Sequence, residues 1–165
     1  WGLSLTEAIL VGNPIIANVT GGMQDQMRFE DENSEWFVPS ADVPSNHTGK
    51  HKKHGEWAFP VYPSIRTMVG SPPTPYIWDD LCSAEDAAKQ IMAVYSLSPD
   101  ERKSRGLKGR EWAVSEEAGF TSKQQGKKVI EAFNELFSTW KPREKFEFIN
   151  TNEVKDRVIN HKLLY

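Results

Sequence analysis

An α/β fold follows from three observations in the 165-residue sequence. Residues 1–22, WGLSLTEAILVGNPIIANVTGG, read as a helix, a strand and a Gly-Gly turn in direct succession. Short β-prone stretches stand at residues 57–61 and 75–78. From Ser83 onward, apolar residues recur at helical spacing behind three start signals.

Each element has a local reason. Ser4 with Glu7 three positions on has the S-x-x-E form of a capping box, predicting a helix from Leu5 through Val11. Gly12 can take the left-handed C-terminal position and Pro14 forbids continuation. Ile15, Ile16, Ala17, Asn18 and Val19 then read as a short buried strand, and Thr20-Gly21-Gly22 as a turn. Residues 23–82 hold seven of the ten prolines (Pro39, Pro44, Pro60, Pro63, Pro72, Pro73, Pro75), interleaved with Trp36, Trp57, Tyr62, Tyr76 and Trp78. A stretch this long without helical period is either functional or disordered, and the aromatics argue for order. Within it, residues 46–54 are basic and polar and predict an exposed tip.

Ser83 caps a helix with Ala87, Ile91, Val94 and Tyr95 along one stripe. Ser98-Pro99-Asp100-Glu101 starts another, with proline at the first helical position and acids in the first turn. Thr121 or Ser122 begins a third, whose Val129, Ile130, Phe133, Leu136, Phe137 and Trp140 predict a core-facing stripe rather than a cofactor site. Residues 1–140 thus form one domain with a long insertion at 23–82, and residues 141–165 a docking tail, helical in part.

Composition narrows the function classes. Hydrophobic residues at 38% and charged residues at 26% fit a globular chain, and a net charge of −3 argues against a broad nucleic-acid footprint. A lone cysteine, Cys82, excludes an internal disulfide and a cysteine-based zinc site, and a reducing, cytoplasmic setting is expected. No apolar run reaches membrane-spanning length. The sequons Asn18-Val-Thr and Asn46-His-Thr read as chance occurrences.

Glu7 is the residue with the most chemistry. Sharing a helical face with Leu3, Leu10 and Val11, it is expected to be partly enclosed. Two readings stand: a capping carboxylate, or an acceptor for two adjacent hydroxyls, as of a ribose. In the second reading, the free N–H groups at Gly2, Leu3, Ser4, Leu5 and Thr6 would face an anion such as a diphosphate.

The same 22 residues resemble the core motif of retaining GT-B glycosyltransferases, E-G-F-G-L-x-x-x-E-A-x-x-x-G-x-P-V-V-A-x-x-x-G-G. Gly2, Leu3, Glu7, Ala8, Gly12, Pro14, Ile15, Ile16, Ala17, Gly21 and Gly22 match, and Trp1 stands where the family often has Phe. A weaker likeness, SPDERKSRGLKGREWA at residues 98–113, is similar to the family's D-P-E-x-R-x-x-L-G-x-x-G-R-x-x-A helix. The resemblance implies the later part of a Rossmann-like nucleotide-sugar-binding domain, with few parallel strands. It implies an enzyme that moves a sugar from a nucleotide-diphosphate donor to an acceptor hydroxyl with retention. Glu7 matches the second acid of the motif, which holds the donor ribose. The first acid would lie two positions before Trp1, so no catalytic residue is assigned and the chain alone is expected to be inactive. No cofactor or metal is implied. The expected partners are the nucleotide sugar, a glycan or other hydroxyl acceptor, an N-terminal domain, and a second copy through an exposed sheet edge. A GT-B-type epimerase and a non-catalytic binding or assembly module are the alternatives.

Further residues carry two readings each. Trp57, Tyr62, Arg66 and Tyr76 could line an acceptor groove, or pack the insertion onto the domain. His47, His51 and His54 have a spacing that could gather a metal ion on a helix, but Gly49, Gly55 and the neighbouring lysines favour a solvated loop. The Asp79-Asp80 pair reads as turn chemistry.

Overall fold

The structure, a computed structural model, describes residues 2–142. It is mixed α/β: α1 (Leu3–Leu10), β1 (Ile15–Asn18), a 3-10 helix (Gly21–Met27), β2 (Ala58–Val61), β3 (Ile65–Ser71), β4 (Thr74–Leu81), α2 (Ala84–Tyr95), α3 (Pro99–Ala113) and α4 (Ser122–Thr139). The chain divides into two compact units, Trp1–Lys128 and Val129–Tyr165, so the division falls inside α4 rather than after Trp140. From residue 143 on, the expected docking tail lies outside the described residues. Among these, no helix is long and apolar enough to cross a membrane.

The first unit opens as the sequence predicts, with one change at its start. α1 begins at Leu3, two residues early, with Gly2 as N-cap and no side-chain cap. Ser4 is therefore inside the helix and the capping box does not form. At the other end, Gly12 takes φ +81°, its N–H donating to the Ile9 carbonyl at 2.9 Å. Pro14 then turns the chain into β1, whose Ile15 and Ala17 are buried.

β1 pairs with β2 in parallel, Ile15 opposite Ala58 and Asn18 opposite Val61. Parallel neighbours need a long crossover, normally helical. Here it holds no α-helix; a 3-10 helix replaces the expected turn at Thr20-Gly21-Gly22. The rest is ordered by burial, with Met27, Phe29 and Phe37 joining the core. The predicted exposed tip is a correction: Asn46 is fully buried and His51 nearly so. The Asn46 carboxamide accepts from the His51 N–H and donates to the His51 carbonyl, both at 2.9 Å, imitating a strand pairing across five residues. His51 then stacks on Phe37 with ring centres 4.6 Å apart.

Trp112 of α3 is the hub of the core. It stacks on Trp57 at 5.0 Å and meets the rings of Trp36 and Phe120 edge-on. Two glycines one turn apart permit this approach. A Cβ at Gly106 would run into the Gly12 carbonyl, and one at Gly109 would stand 2.6 Å from Cγ of Trp57.

β3 and β4 form an antiparallel hairpin with a bulge between Val69 and Ser71. Only its second strand is anticipated, and Asp79 and Asp80 lie within β4 rather than in a turn. The hairpin is largely exposed. Its base is tied down where the Thr20 hydroxyl donates to Asp80 Oδ2 at 3.0 Å.

The later helices start where local chemistry says. The Ser83 hydroxyl accepts from the Asp86 N–H, Ser98 and Glu101 form a reciprocal capping box, and the Thr121 hydroxyl accepts from the Gln124 N–H. The α2 stripe is less buried than its pattern suggests, with Ile91 and Tyr95 exposed. In the second unit, Phe133 and Phe137 stack on each other. Val129, Ile130, Phe133, Leu136, Phe137 and Trp140 are all exposed, which corrects the expectation of a core-facing stripe.

The glycine face yields a test. Alanine favours a helix interior over glycine by about 1 kcal/mol, yet Gly106→Ala and Gly109→Ala should each lower stability by about 1–3 kcal/mol through overpacking. Gly126→Ala, in open space on α4, should be neutral or stabilising. Urea denaturation of the three variants checks this.

Candidate functional site

The start of α1 lies at the carboxyl end of β1, because the chain reverses between the two elements. That end of a strand is where α/β folds collect ligands. The closing contact comes from the 3-10 helix that follows β1. Gln26, fully buried, accepts from the Gly2 N–H at 3.2 Å and donates to the Gly2 carbonyl at 2.7 Å. Its second amide hydrogen goes to the Thr6 hydroxyl, and its main-chain carbonyl accepts from Trp57 Nε1 at 3.1 Å. One side chain thus holds both main-chain polar groups of the helix's N-cap residue.

This contact determines which amides are free. The Gly2 N–H goes to Gln26, and the Leu5 and Thr6 N–H groups go to the Gly2 carbonyl at 3.1 and 3.2 Å. Of the five amides expected to face an anion, only those of Leu3 and Ser4 have no acceptor among the described residues. Ser4 and Glu7 are both exposed, beside Leu3 and Val11, which are 73% and 70% exposed. The expected enclosure of Glu7 is corrected, because the core face of α1 is Thr6 and Ile9 instead. The Glu7 carboxylate neither caps the helix nor pairs with any described residue.

A hollow of about 490 Å³ opens beside the same turn, lined by Leu3, Thr6, Trp36, Ala118, Phe120, Gln125 and Lys128. Trp36 Nε1 is shielded from solvent there without an acceptor among the described residues. Asp25, adjacent to Gln26, is half-buried with Oδ1 likewise unpaired, and burial pushes its carboxyl above the ordinary range. A shielded, unpaired acid of this kind makes Asp25 a candidate site residue. Sequence reasoning missed both Gln26 and Asp25, whose meaning depends on contacts made across the turn.

The residues considered for an acceptor side do not converge. Trp57 is 5% exposed and covered by Trp112, lining a cleft with Arg28, Glu30, His54, Glu56 and Lys108. The charges of that cleft are matched. Arg28 donates through Nε and a terminal nitrogen to both Glu117 oxygens at 2.9 Å, holding the Glu117 carboxyl below its usual range, and Lys108 reaches Glu56 at 2.6 Å. Tyr62 lines a second hollow, and burial raises its phenol. Tyr76 lines a third at the hairpin tip, at φ +63° and 79% exposed. Arg66 lies 3.5 Å from Asp80, donates to His47 Nε2 at 3.1 Å and covers Trp78.

The three histidines part company as well. His47 faces Arg66, His51 stacks on Phe37, and His54 meets Phe29 edge-on while its Nδ1 bonds the Gly55 carbonyl. Among the described residues no group of three or more His, Cys, Asp or Glu side chains could hold a metal ion.

Two substitutions test the site's construction. Gln26→Leu removes the partners of Gly2 and Thr6 and should cost about 2–3 kcal/mol in urea denaturation. Asp25→Asn should act oppositely. A carboxyl whose folded pKa is raised costs stability when ionised, so the variant should have the higher denaturation midpoint at pH 7. That gain should vanish below about pH 3, where the acid is protonated in both states.

Comparison of the chain with protein-family models, with curated proteins and with solved structures gave no match.

Proposed function

We propose that this chain is the later part of the Rossmann-like nucleotide-sugar-binding domain of a retaining GT-B glycosyltransferase, with α1 as its donor-binding helix. In this reading the Glu7 carboxylate accepts from the two ribose hydroxyls. The Leu3 and Ser4 amides and the positive end of α1 face the diphosphate. The reaction moves a sugar from the diphosphate to an acceptor hydroxyl, and the charge appearing on the leaving diphosphate is stabilised by fixed N–H dipoles.

The observation that carries the reading is the pinning of Gly2 by Gln26 while Glu7 stays unpaired. Gly2 is held from a residue 24 positions away, which fixes where the next two amides lie. Glu7 offers its whole acceptor capacity outward on the same helix. A capping acid in an S-x-x-E motif would instead be bonded to the helix start, and this one is not. The density of the 22-residue motif supports the same reading.

Calorimetric titration with UDP-glucose, GDP-mannose and ADP-glucose tests it. One donor should bind, and Glu7→Gln should weaken it by about tenfold. The 2′-deoxyribose analogue of that donor should lose a similar factor against the unmodified chain and little more against Glu7→Gln, as expected for two partners of one contact. Equal donor affinity for both proteins would remove the ribose assignment.

A further inference from the structure

A second concave site lies away from α1, where β2 meets α2, α3 and the loop before the strand. It encloses about 260 Å³, and the residues that matter in it are Lys52, His54, Phe59, Tyr62, Gln90 and Arg105. Lys52, Tyr62, Gln90 and Arg105 can each donate a hydrogen bond, and no carboxylate lines the hollow. Elsewhere Arg28, Lys50, Arg66, Lys89 and Lys108 each have a carboxylate partner, whereas Lys53, Arg102, Lys103 and Arg110 have none among the described residues, so it is the setting of the unpaired cations that distinguishes this hollow. Lys52 and Arg105 likewise have no carboxylate within ion-pair distance among the described residues, although Glu56 and Glu101 both feel the Arg105 charge.

Aromatic rings hold the two cations instead. Lys52 Nζ stands 4.9 Å from the centre of the Tyr62 ring, and the Arg105 guanidinium 5.7 Å from that of Phe59. Phe59 is buried in β2, so its ring is a fixed platform, and Tyr62 is half-buried. A ring positions a cation without neutralising it, leaving the N–H donors available to an incoming anion. His54 donates its Nδ1–H to the Gly55 carbonyl, so in the neutral ring Nε2 is an acceptor and His54 is not one of the donors.

We infer that this hollow binds a phosphoryl group, with Lys52 and Arg105 as its charged donors and the Tyr62 hydroxyl and Gln90 amide as neutral ones. The geometry favours a compact tetrahedral oxyanion over a long polyanion, because the donors surround one small concavity rather than forming a stripe. The group could be free phosphate or the end of an organic monoester. The site is independent of the donor reading for α1 and stands or falls separately.

The test is a titration of the full chain with inorganic phosphate and with glycerol 3-phosphate, followed by amide and side-chain NMR shifts, against chloride at matched ionic strength. Phosphate should move the Gln90 side-chain and Tyr62 resonances, saturably, where chloride does not. A tighter fit for glycerol 3-phosphate would identify an organic monoester, and equal affinity would identify phosphate itself. Lys52→Gln and Arg105→Gln should each weaken binding by about tenfold, whereas Glu7→Gln should leave it unchanged. Arg105→Lys, which keeps the charge and loses the fork, should fall between. Should Arg105→Gln fail to fold, Lys52→Gln and the chloride comparison decide. Shifts no larger than with chloride, shifts centred on Leu3 and Ser4 instead, or unaltered affinity in folded Lys52→Gln and Arg105→Gln would each overturn the assignment.

Discussion

A single buried carboxamide sets the geometry of the start of α1, where the candidate site lies. Gln26 is the right chemistry for its position, because a carboxamide offers both a donor and an acceptor to one peptide unit. A carboxylate could not donate to the Gly2 carbonyl, and an ammonium could not accept from the Gly2 N–H. Buried as it is, the group would be costly unmatched, so its hydrogen bonds fix the distance between α1 and the 3-10 helix. Its main-chain carbonyl takes the Trp57 indole as well. The helix start, the carboxyl end of β1 and the aromatic core are therefore registered to one residue.

The second constraint is the close approach of α3. Gly106 meets the turn after α1, and Gly109 meets Trp57, so the helix backbone comes nearer than side chains would permit. That proximity delivers Trp112 into contact with three other aromatic rings. It also explains why Trp57 serves the core rather than an open groove. The irregular crossover needs no α-helix of its own, because Phe29, Phe37, His51 and Trp36 anchor it from within.

What the sequence discloses follows the range of the interactions involved. The starts of α2, α3 and α4 are legible because Ser83, Ser98 and Thr121 cap within three residues. Gly12 and Pro14 end α1 by local sterics, and they read correctly. The start of α1 reads wrongly for the converse reason: a partner 24 residues away replaces the S-x-x-E motif. β3 escapes notice since Arg66, Thr67 and Gly70 interrupt its alternation, and only pairing with β4 makes it a strand. At the site, Glu7 can be singled out from the motif alone, but Asp25 and Gln26 acquire meaning only through the fold. The pattern at Val129–Trp140 is helical as read, but periodicity names an apolar face without naming what covers it.

The closure of Asn46 onto His51 has an outcome for how the chain can be produced. Asn46 heads an Asn-His-Thr acceptor sequence, and in the finished fold its amide nitrogen is sealed and engaged. Glycan transfer acts on nascent, unfolded polypeptide, so a chain routed through a glycosylating lumen meets that machinery before the loop shuts. A sugar attached there would displace both hydrogen bonds to the His51 main chain and could not be accommodated at a fully buried side chain. Production in a host without this modification, or with Thr48 replaced to erase the acceptor, leaves the loop free to close.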